Sequence, residues 1–238
     1  MNQLFIQGVQ IQWEKIEEYS YLRRIPALQF EENLKFSQAI TFFVGENGTG
    51  KSTLLEGIAV AYGFNPEGGS KNYNFSTYDS HSELHNALRL TKGYQNPGWS
   101  YFLRAESFYN VATKEEEYAD LDHPSRKYHE NSHGESFLAL AQSSFRPHGL
   151  YLLDEPEAAL SPQRQLTLLI EISRLAKQGA QFIIASHSPI LLGIPVAQIL
   201  SFDEGVIHPC DYTETESYQV TEMFINNREY LLKRLLEE

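Results

Sequence analysis

A glycine-rich segment that ends in Lys51-Ser52 is the clearest chemical feature of the sequence. Residues 45–52 read Gly-Glu-Asn-Gly-Thr-Gly-Lys-Ser, which fits the pattern G-x-x-x-x-G-K-[ST] in full. Its glycines let successive backbone N–H groups point at phosphate oxygens, its lysine adds a positive charge, and its serine hydroxyl can ligate Mg²⁺. We therefore expect a phosphate-binding loop whose binding residues are Gly45, Asn47, Gly48, Gly50, Lys51, Ser52 and Thr53.

Two adjacent carboxylates follow a short apolar run. Asp154 and Glu155 come directly after the four apolar residues 150–153, as at the tip of a buried strand. From that position we expect Asp154 to hold Mg²⁺ together with Ser52. Successive strand residues alternate faces, so Glu155 is free for another role, and we expect it to accept a proton from an attacking water or to orient it.

A histidine follows the next apolar run along the chain. His187 comes two residues after residues 182–185, which also have the character of a buried strand. Parallel strands of such a sheet end at one edge, where ligands bind. We therefore expect His187 to lie near the terminal phosphate, where its ring can donate a hydrogen bond to that phosphate or to the attacking water.

These segments together resemble the ABC-type ATPases, and more closely the stand-alone AAA-type and SMC-like branch than the transporter branch. The resemblance covers about residues 36–205 and is carried by four segments, residues 45–52, 131–135, 153–161 and 186–189. It implies that Asp154 is the Walker B carboxylate, Glu155 the catalytic base and His187 the switch histidine. Residues 158–161 are similar to the D-loop, with Ser161 where many members have Asp.

The signature segment departs from the family pattern. Residues 132–135 read Ser-His-Gly-Glu where the family has Ser-Gly-Gly-Gln, so Ser132 and Gly134 are kept and His133 and Glu135 differ. The resemblance implies that Ser132 and Gly134 of one subunit contact the ATP held by a second subunit. Alternatively, Ser132 serves only as the N-cap of the helix that follows.

Two further family positions have no clear match in the motifs, the glutamine between the phosphate-binding loop and the signature segment, and the aromatic residue that stacks on adenine. By position alone, Glu106 stands where the family has a glutamine that follows a strand, and we expect it to ligate Mg²⁺ or position water. Gln95 is a poorer candidate because it precedes the strand. Tyr19 and Tyr21 lie where an aromatic residue could stack on adenine, although core packing is the role expected of them.

The pattern of elements predicts an α/β fold. Short apolar strands at residues 39–44, 99–104, 150–153, 182–185 and 199–202 alternate with amphipathic helices at 52–61 and 165–178. We expect a P-loop NTPase of the ABC-ATPase head type, with a mainly parallel sheet, N-terminal antiparallel strands and C-terminal helices. One domain is expected over residues 1–238, with a short, reduced helical insertion at about 107–143. The tail from Ser217 to Glu238 is expected to be helical and to pack its apolar side on the core. A helix that binds a partner is the alternative.

Composition limits the classes of function. The chain has 238 residues and a formal charge of −12, which counts against a general nucleic-acid coat because such proteins rely on surplus Lys and Arg. Its only cysteine is Cys210, so no internal disulfide can form and a reducing compartment is expected. No run approaches the roughly 20 apolar residues of a membrane span. We read a cytoplasmic protein without membrane insertion.

The expected function is hydrolysis of ATP by a homodimer that closes around two ATP–Mg²⁺ and drives a partner protein or a DNA-related process. One alternative is a nucleotide-gated interaction module with little turnover. Another is the ATP-binding subunit of an ABC transporter. Ser132 follows Glu106 by only 26 positions, an interval too short for the helical subdomain with which transporter ATPases bind a membrane subunit.

Overall fold

A parallel sheet forms the centre of the protein. The computed structural model describes residues 4–70, 82–104, 138–139, 141–142, 144–158 and 160–236. Within them, the strands are β1 (Ile6–Ile11), β2 (Leu34–Lys35), β3 (Ile40–Val44), β4 (Gly69–Ser70), β5 (Leu88–Lys92), β6 (Trp99–Arg104), β7 (Gly149–Asp154), β8 (Gln181–Ala185), β9 (Gln198–Ser201) and β10 (His208–Pro209). The helices are α1 (Lys51–Tyr62), α2 (Leu84–Ala87), α3 (Pro162–Lys177), α4 (Pro189–Leu192), α5 (Glu216–Asn226) and α6 (Arg228–Leu236).

The strand order of the large sheet is β10-β9-β3-β8-β7-β6-β4 in the described part of the chain. The five inner strands are parallel, and the short edge strands β10 and β4 are antiparallel to their neighbours. The expected mainly parallel α/β sheet is therefore confirmed. Register pairs Asp154 at the end of β7 with Ala185 at the end of β8, so the loops after these strands leave from one edge.

Residues alternate between two cores on the two faces of the sheet. On β7, Tyr151 and Leu153 belong to the core under α3, whereas Leu150 and Leu152 belong to the core under α1. All four are almost fully buried, which explains why this strand reads as a continuous apolar run. Burial on both faces fixes the strand so that its end, with the two carboxylates, has a defined position.

Helix α1 begins directly after the glycine-rich loop, as the sequence predicts. Gly50 precedes the helix with a φ of 102°, and a Cβ there would lie 2.7 Å from the Ile25 side chain. Only glycine combines that left-handed backbone with so close a neighbour. The helix ends at Gly63, whose N–H donates to the carbonyl oxygen of Ala59 at 3.1 Å.

A three-stranded antiparallel sheet of order β2-β1-β5 lies on the α1 side, as expected for the N-terminal strands. Gln181, which is only 1% exposed, joins it to the large sheet. Its Oε1 accepts hydrogen bonds from the N–H groups of Phe5 (2.8 Å) and Ile6 (2.9 Å). Its Nε2 donates to the Ile6 carbonyl oxygen at 2.7 Å, so one amide satisfies three buried backbone groups.

The C-terminal tail differs from the expectation. It forms two helices, α5 and α6, separated by Asn227, and neither contains a buried residue. Leu235 is 70% exposed and Leu236 is 76% exposed. The prediction that the tail packs its apolar side on the core is therefore wrong. Among the described helices, none combines the length and the hydropathy that crossing a membrane requires.

Candidate functional site

The phosphate-binding loop connects β3 to α1 and curls around its own lysine. Lys51 Nζ donates to the carbonyl oxygens of Gly45 at 2.6 Å and Glu46 at 2.7 Å. Burial lowers the pKa of Lys51, and the nearby carboxylates, Glu155 first, oppose that shift. The ammonium group thus lies inside the loop, where it can exchange two carbonyl partners for phosphate oxygens.

The middle of the loop is open. Gly48 has a φ of 84°, and nothing lies within 4 Å of the position that a Cβ would occupy there. Thr49 closes the turn, since its N–H and its Oγ1 both donate to the Glu46 carbonyl oxygen. The loop therefore keeps its turn while leaving space at Gly48 for a ligand to approach the backbone.

Ser52 and Asp154 meet across the edge of the sheet. Ser52, in the first turn of α1, donates from Oγ to Asp154 Oδ1 at 2.9 Å. Asp154 is the last residue of β7, 102 residues further along the chain. A hydroxyl and a carboxylate oxygen in contact are hard oxygen donors of the kind that Mg²⁺ takes beside a nucleotide, so these residues fit that ion.

Glu155 turns away from the strand that precedes it. Its φ is 47°, an uncommon left-handed conformation for a residue with a side chain, and its N–H donates to the Ala185 carbonyl oxygen at 2.9 Å. Its carboxylate Oε1 lies 3.9 Å from His187 Nε2, with the side chains 42% and 38% exposed respectively. The structure thus brings together the two residues expected to act on the attacking water.

The His187 ring is partly buried. Its Nε2 is shielded from solvent and has no hydrogen-bond partner among the described residues. Burial lowers the pKa of His187, and the positive charge of Lys51 lowers it further. One ring nitrogen of His187 therefore has no hydrogen-bond partner in the described structure, although it lies 3.9 Å from Glu155 Oε1.

Glu157 is a site residue that the motif analysis did not assign. Its Oε1 accepts hydrogen bonds from the His187 N–H at 2.6 Å and from Ser186 Oγ at 2.9 Å. Burial raises its pKa, and its Oε2 is enclosed without a hydrogen-bond partner in the described structure. It ties the loop after β7 to the loop after β8, a link that the spacing of 30 residues does not signal.

Asp203 is a second site residue that sequence reasoning missed. It follows β9, its Oδ1 accepts from the Glu46 N–H at 3.0 Å, and its Oδ2 accepts from Ser201 Oγ at 3.1 Å. A Cβ on Gly45, whose φ is 134°, would lie 2.9 Å from Asp203 Oδ1. Asp203 thus holds the first turn of the loop, and Gly45 leaves room for it.

A cleft of about 310 Å³ opens beside these groups. One wall is the start of the phosphate-binding loop and the His187 segment, and the opposite wall is the beginning of α5. Its lining residues are Val44, Gly45, Glu46, Asn47, Ser186, His187, Asp203, Thr215, Glu216, Ser217 and Val220. Asn47 thus faces the cleft, as a ligand-binding residue of the loop would.

Some expected site residues lie outside the described residues. These are Ser132 and Gly134 of the signature segment, with His133 and Glu135, and the candidate Mg²⁺ ligand Glu106. Thr53 lies in the first turn of α1 and is partly buried.

Tyr19 is 88% exposed and Tyr21 is also exposed, so the expectation that they pack in the core is wrong. Among the described residues, no group of three His, Cys, Asp or Glu forms a further metal site.

The chain is similar to several solved structures. One is an inward-facing conformation of a metal-chelate type ABC transporter, with a TM-score of 0.50 and 16% identity over 93% of this chain and 88% of that one. Others are the SMC head domain from Thermotoga maritima (TM-score 0.49, 15% identity, 87% and 100% coverage) and cbiO1 from Clostridium perfringens, part of the ABC transporter complex cbiONQ (TM-score 0.49, 15% identity, 99% and 100%). A search of curated proteins found no significant match.

Family models match two parts of the chain. The model described as "ABC transporter" matches residues 33–158, which contain the phosphate-binding loop and the Asp154-Glu155 pair. A model described as "AAA domain, putative AbiEii toxin, Type IV TA system" matches residues 135–193, which contain His187. Since the first model spans more than half of the chain, the protein belongs to the ABC-type ATPase family.

Proposed function

We propose that this protein binds ATP with Mg²⁺ and hydrolyses it, and that two copies close around two nucleotides to drive a partner. The observation that carries the proposal is the meeting of five groups at one sheet edge. These are the Lys51 ammonium, the Ser52–Asp154 contact and the Glu155–His187 pair. We assign this role to one ATPase domain of residues 1–238, with the reduced helical insertion at about 107–143.

Binding uses the phosphate-binding loop. Lys51 Nζ exchanges its hydrogen bonds to the carbonyl oxygens of Gly45 and Glu46 for hydrogen bonds to phosphate oxygens. Backbone N–H groups of the loop and of the α1 N-terminus bind the other phosphate oxygens and stabilise their negative charge. Ser52 and Asp154 would hold Mg²⁺, which neutralises charge on the phosphates. The open space at Gly48 supports this arrangement, because phosphate can approach the backbone there.

Hydrolysis uses the Glu155–His187 pair. Water attacks the terminal phosphorus, the bond to the bridging oxygen breaks, and ADP and phosphate leave. Glu155 orients the water and accepts its proton, and His187 donates a hydrogen bond to the terminal phosphate from its unpaired ring nitrogen. Catalysis in this class is mainly positioning and charge neutralisation, which suits side chains held by short loops between buried strands.

The second copy completes the site in this proposal. Ser132 and Gly134 of one copy would contact the ATP held by the other, and Glu106 would join the Mg²⁺ shell. Each copy offers both surfaces, so a two-fold closed dimer with two composite sites follows. The partner is a protein or a DNA-related assembly, whose identity the site chemistry does not specify.

ATP turnover is the direct test. We expect the protein to release phosphate from ATP and Mg²⁺, and Lys51→Ala to abolish release because ATP binding is lost. Glu155→Gln should keep ATP binding, lower turnover by about a hundredfold or more and accumulate an ATP-bound dimer detectable by light scattering. Val196→Asp, an exposed position away from the site, is the matched control. Wild-type turnover no higher than that of Lys51→Ala would overturn the enzyme proposal.

A nucleotide-gated interaction module is the second candidate. It is favoured by the sequence departure at His133 and Glu135, since an added carboxylate beside a phosphate contact weakens that contact. This candidate predicts ATP-dependent association without turnover above the Lys51→Ala control. A transporter subunit, as in two of the similar structures, would instead co-purify with a membrane protein.

A further inference from the structure

The C-terminal helices form an apolar surface that the described fold leaves uncovered. Helices α5 and α6 run over residues 216–236, and neither has a buried residue. Asn227, with a φ of −130° and a ψ of 29°, separates them. Two hydrogen bonds span it: the Asn227 N–H donates to the Met223 carbonyl oxygen and the Leu231 N–H donates to the Asn227 carbonyl oxygen, both at 3.0 Å. At 1.5 Å per residue the two helices have a combined length of about 30 Å.

The first turn of α5 is fastened to the domain. Tyr218 packs edge-on against Tyr212 with ring centroids 4.7 Å apart, and Tyr212 Oη donates to the Pro189 carbonyl oxygen at 2.9 Å. Beyond this point α5 projects, with Met223, Phe224 and Ile225 all exposed. A projecting amphipathic helix pair of this length needs another surface to cover it.

The residue pattern of the two helices is self-complementary. Counted outward in both directions from the peptide bond between Asn227 and Arg228, apolar residues correspond at four positions. These pairs are Val220 with Leu235, Met223 with Leu232, Phe224 with Leu231, and Ile225 with Tyr230. Of these residues, Val220 and Phe224 share a face of α5 and Leu231 and Leu235 share a face of α6, because the members of each pair are four residues apart. Two copies placed antiparallel about a two-fold axis at the Asn227–Arg228 peptide bond would therefore set Val220 opposite Leu235 and Phe224 opposite Leu231.

The two helices carry net charges of opposite sign. Helix α5 carries Glu216 and Glu222 and no basic residue, whereas α6 carries Arg228, Lys233 and Arg234 against the single acid Glu229. At the mirrored position Glu222 corresponds to Lys233. An acidic α5 thus meets a basic α6 in the antiparallel arrangement, although the whole chain has a charge of −12.

We propose that the occupant of this surface is a second copy of the chain, with α5 of each copy packed antiparallel on α6 of the other. Asn227 lies at the centre of the seam, where a polar residue fixes the register of paired helices. The contact requires no nucleotide, so it goes beyond the ATP-driven closure proposed above. Because Ser217 and Val220 also line the cleft beside the phosphate-binding loop, the pairing begins at the rim of that cleft.

Sedimentation equilibrium without nucleotide tests the proposal. The wild-type chain, of 27.3 kDa, should show twice that mass at a concentration of roughly 50 µM. Phe224→Asp should reduce the mass to that of one chain, while Val196→Asp, another exposed apolar position, should leave the doubled mass unchanged. Circular dichroism should show that all variants are folded. A wild-type monomer, or a Phe224→Asp dimer, would overturn the proposal.

Charge exchange tests the antiparallel register. Glu222→Lys and Lys233→Glu should each raise the dissociation constant by roughly tenfold, because each creates two like-charge pairs in the symmetric dimer. The double variant should restore wild-type affinity, and failure to restore it contradicts the register. Lys51→Ala separates this proposal from the ATP-driven dimer, since it should lose ATP turnover and keep the nucleotide-free dimer.

Discussion

At the residue scale, the carboxylate of Glu157 connects two loops that carry the predicted chemistry. It accepts hydrogen bonds from the His187 N–H and from Ser186 Oγ. Those bonds fix the backbone from which the His187 ring extends. We infer that Glu157 acts through His187, as a positioning residue.

Glu157→Ala should lower kcat for ATP hydrolysis by about tenfold or more, with KM for ATP changed by less than about threefold. The reason is that His187 loses its support, while the hydrogen bonds that shape the phosphate-binding loop involve Asp203, Thr49 and Lys51 and are kept. Glu157→Gln keeps an acceptor for both donors and should retain most of the activity. Steady-state kinetics measures both, with the exposed Glu31→Ala as control. A loss confined to KM, or equal losses in both variants, would contradict the positioning role.

Asp203 has two opposing effects on ATP binding, and two variants separate them. Its Oδ1 anchors the Glu46 N–H, while its negative charge lies close enough to Lys51 to act on the lysine pKa. Asp203→Asn keeps an acceptor and removes the charge, so ATP affinity should be unchanged or higher. Asp203→Ala loses the anchor and should bind ATP about tenfold more weakly. Titration with a fluorescent ATP analogue measures this, and an equal loss in both variants would disprove the anchoring role.

The lowered pKa of His187 predicts a pH dependence of stability. The ordinary pKa of histidine is 6.5, and the fold lowers the pKa of His187 below it. As pH falls through 6.5, His187 is therefore protonated in the unfolded chain before it is protonated in the folded chain. The wild type should therefore lose stability relative to His187→Gln between about pH 7.5 and pH 5.5. Thermal unfolding of both proteins across this range measures the difference. Parallel melting curves would show that the ring titrates normally in the fold.

At the element scale, the parts that the sequence predicts well are those that local pattern determines. The strand over residues 99–104 has the predicted bounds, and α1 begins where the glycine-rich loop ends. Apolar runs specify buried strands, and the loop motif requires a strand before it and a helix after it. The edge of the sheet at which the site residues meet follows from these two signals.

The parts that the sequence misses depend on contacts between distant residues. Gln181 bonds Phe5 and Ile6 from 176 and 175 residues away, and no short window distinguishes it from a surface glutamine. The tail shows a related limit, because its apolar side predicts a covered helix without indicating which surface covers it. Tyr19 is a similar case, because its large aromatic side chain is typical of a core residue and yet it is exposed.

Gln181 therefore gives a prediction about the joint between the two sheets. Gln181→Ala removes the partner of three buried backbone groups, and each unsatisfied group costs about 1–3 kcal/mol. We expect the free energy of unfolding to fall by about 3 kcal/mol or more, measured by urea denaturation, while the exposed Gln163→Ala has little effect. A loss below about 1 kcal/mol would show that water or a rearranged strand replaces the amide.

At the scale of the whole molecule, the net charge of −12 repels phosphate groups, whereas the phosphate-binding loop attracts them. One buried lysine and the N–H groups of a loop suffice to bind ATP within an acidic protein, because their field acts at short range and salt screens the distant carboxylates. A duplex presents phosphates along its whole length, so its binding requires many basic residues spread over the surface. The net charge is therefore compatible with ATP binding at the loop, whereas it disfavours direct contact with DNA.

The ATPase rate with and without DNA tests this argument. We expect double-stranded DNA to change the rate of the isolated protein by less than about twofold at both 50 and 200 mM salt, since the surface as a whole repels phosphate. A protein with a dedicated basic groove would behave differently: DNA would stimulate it strongly at low salt, and the effect would fall steeply as counterions compete. Stimulation that appears only at low salt would place a DNA contact on this chain. Stimulation that requires a second protein would assign the DNA contact to the partner and leave this chain as the ATPase.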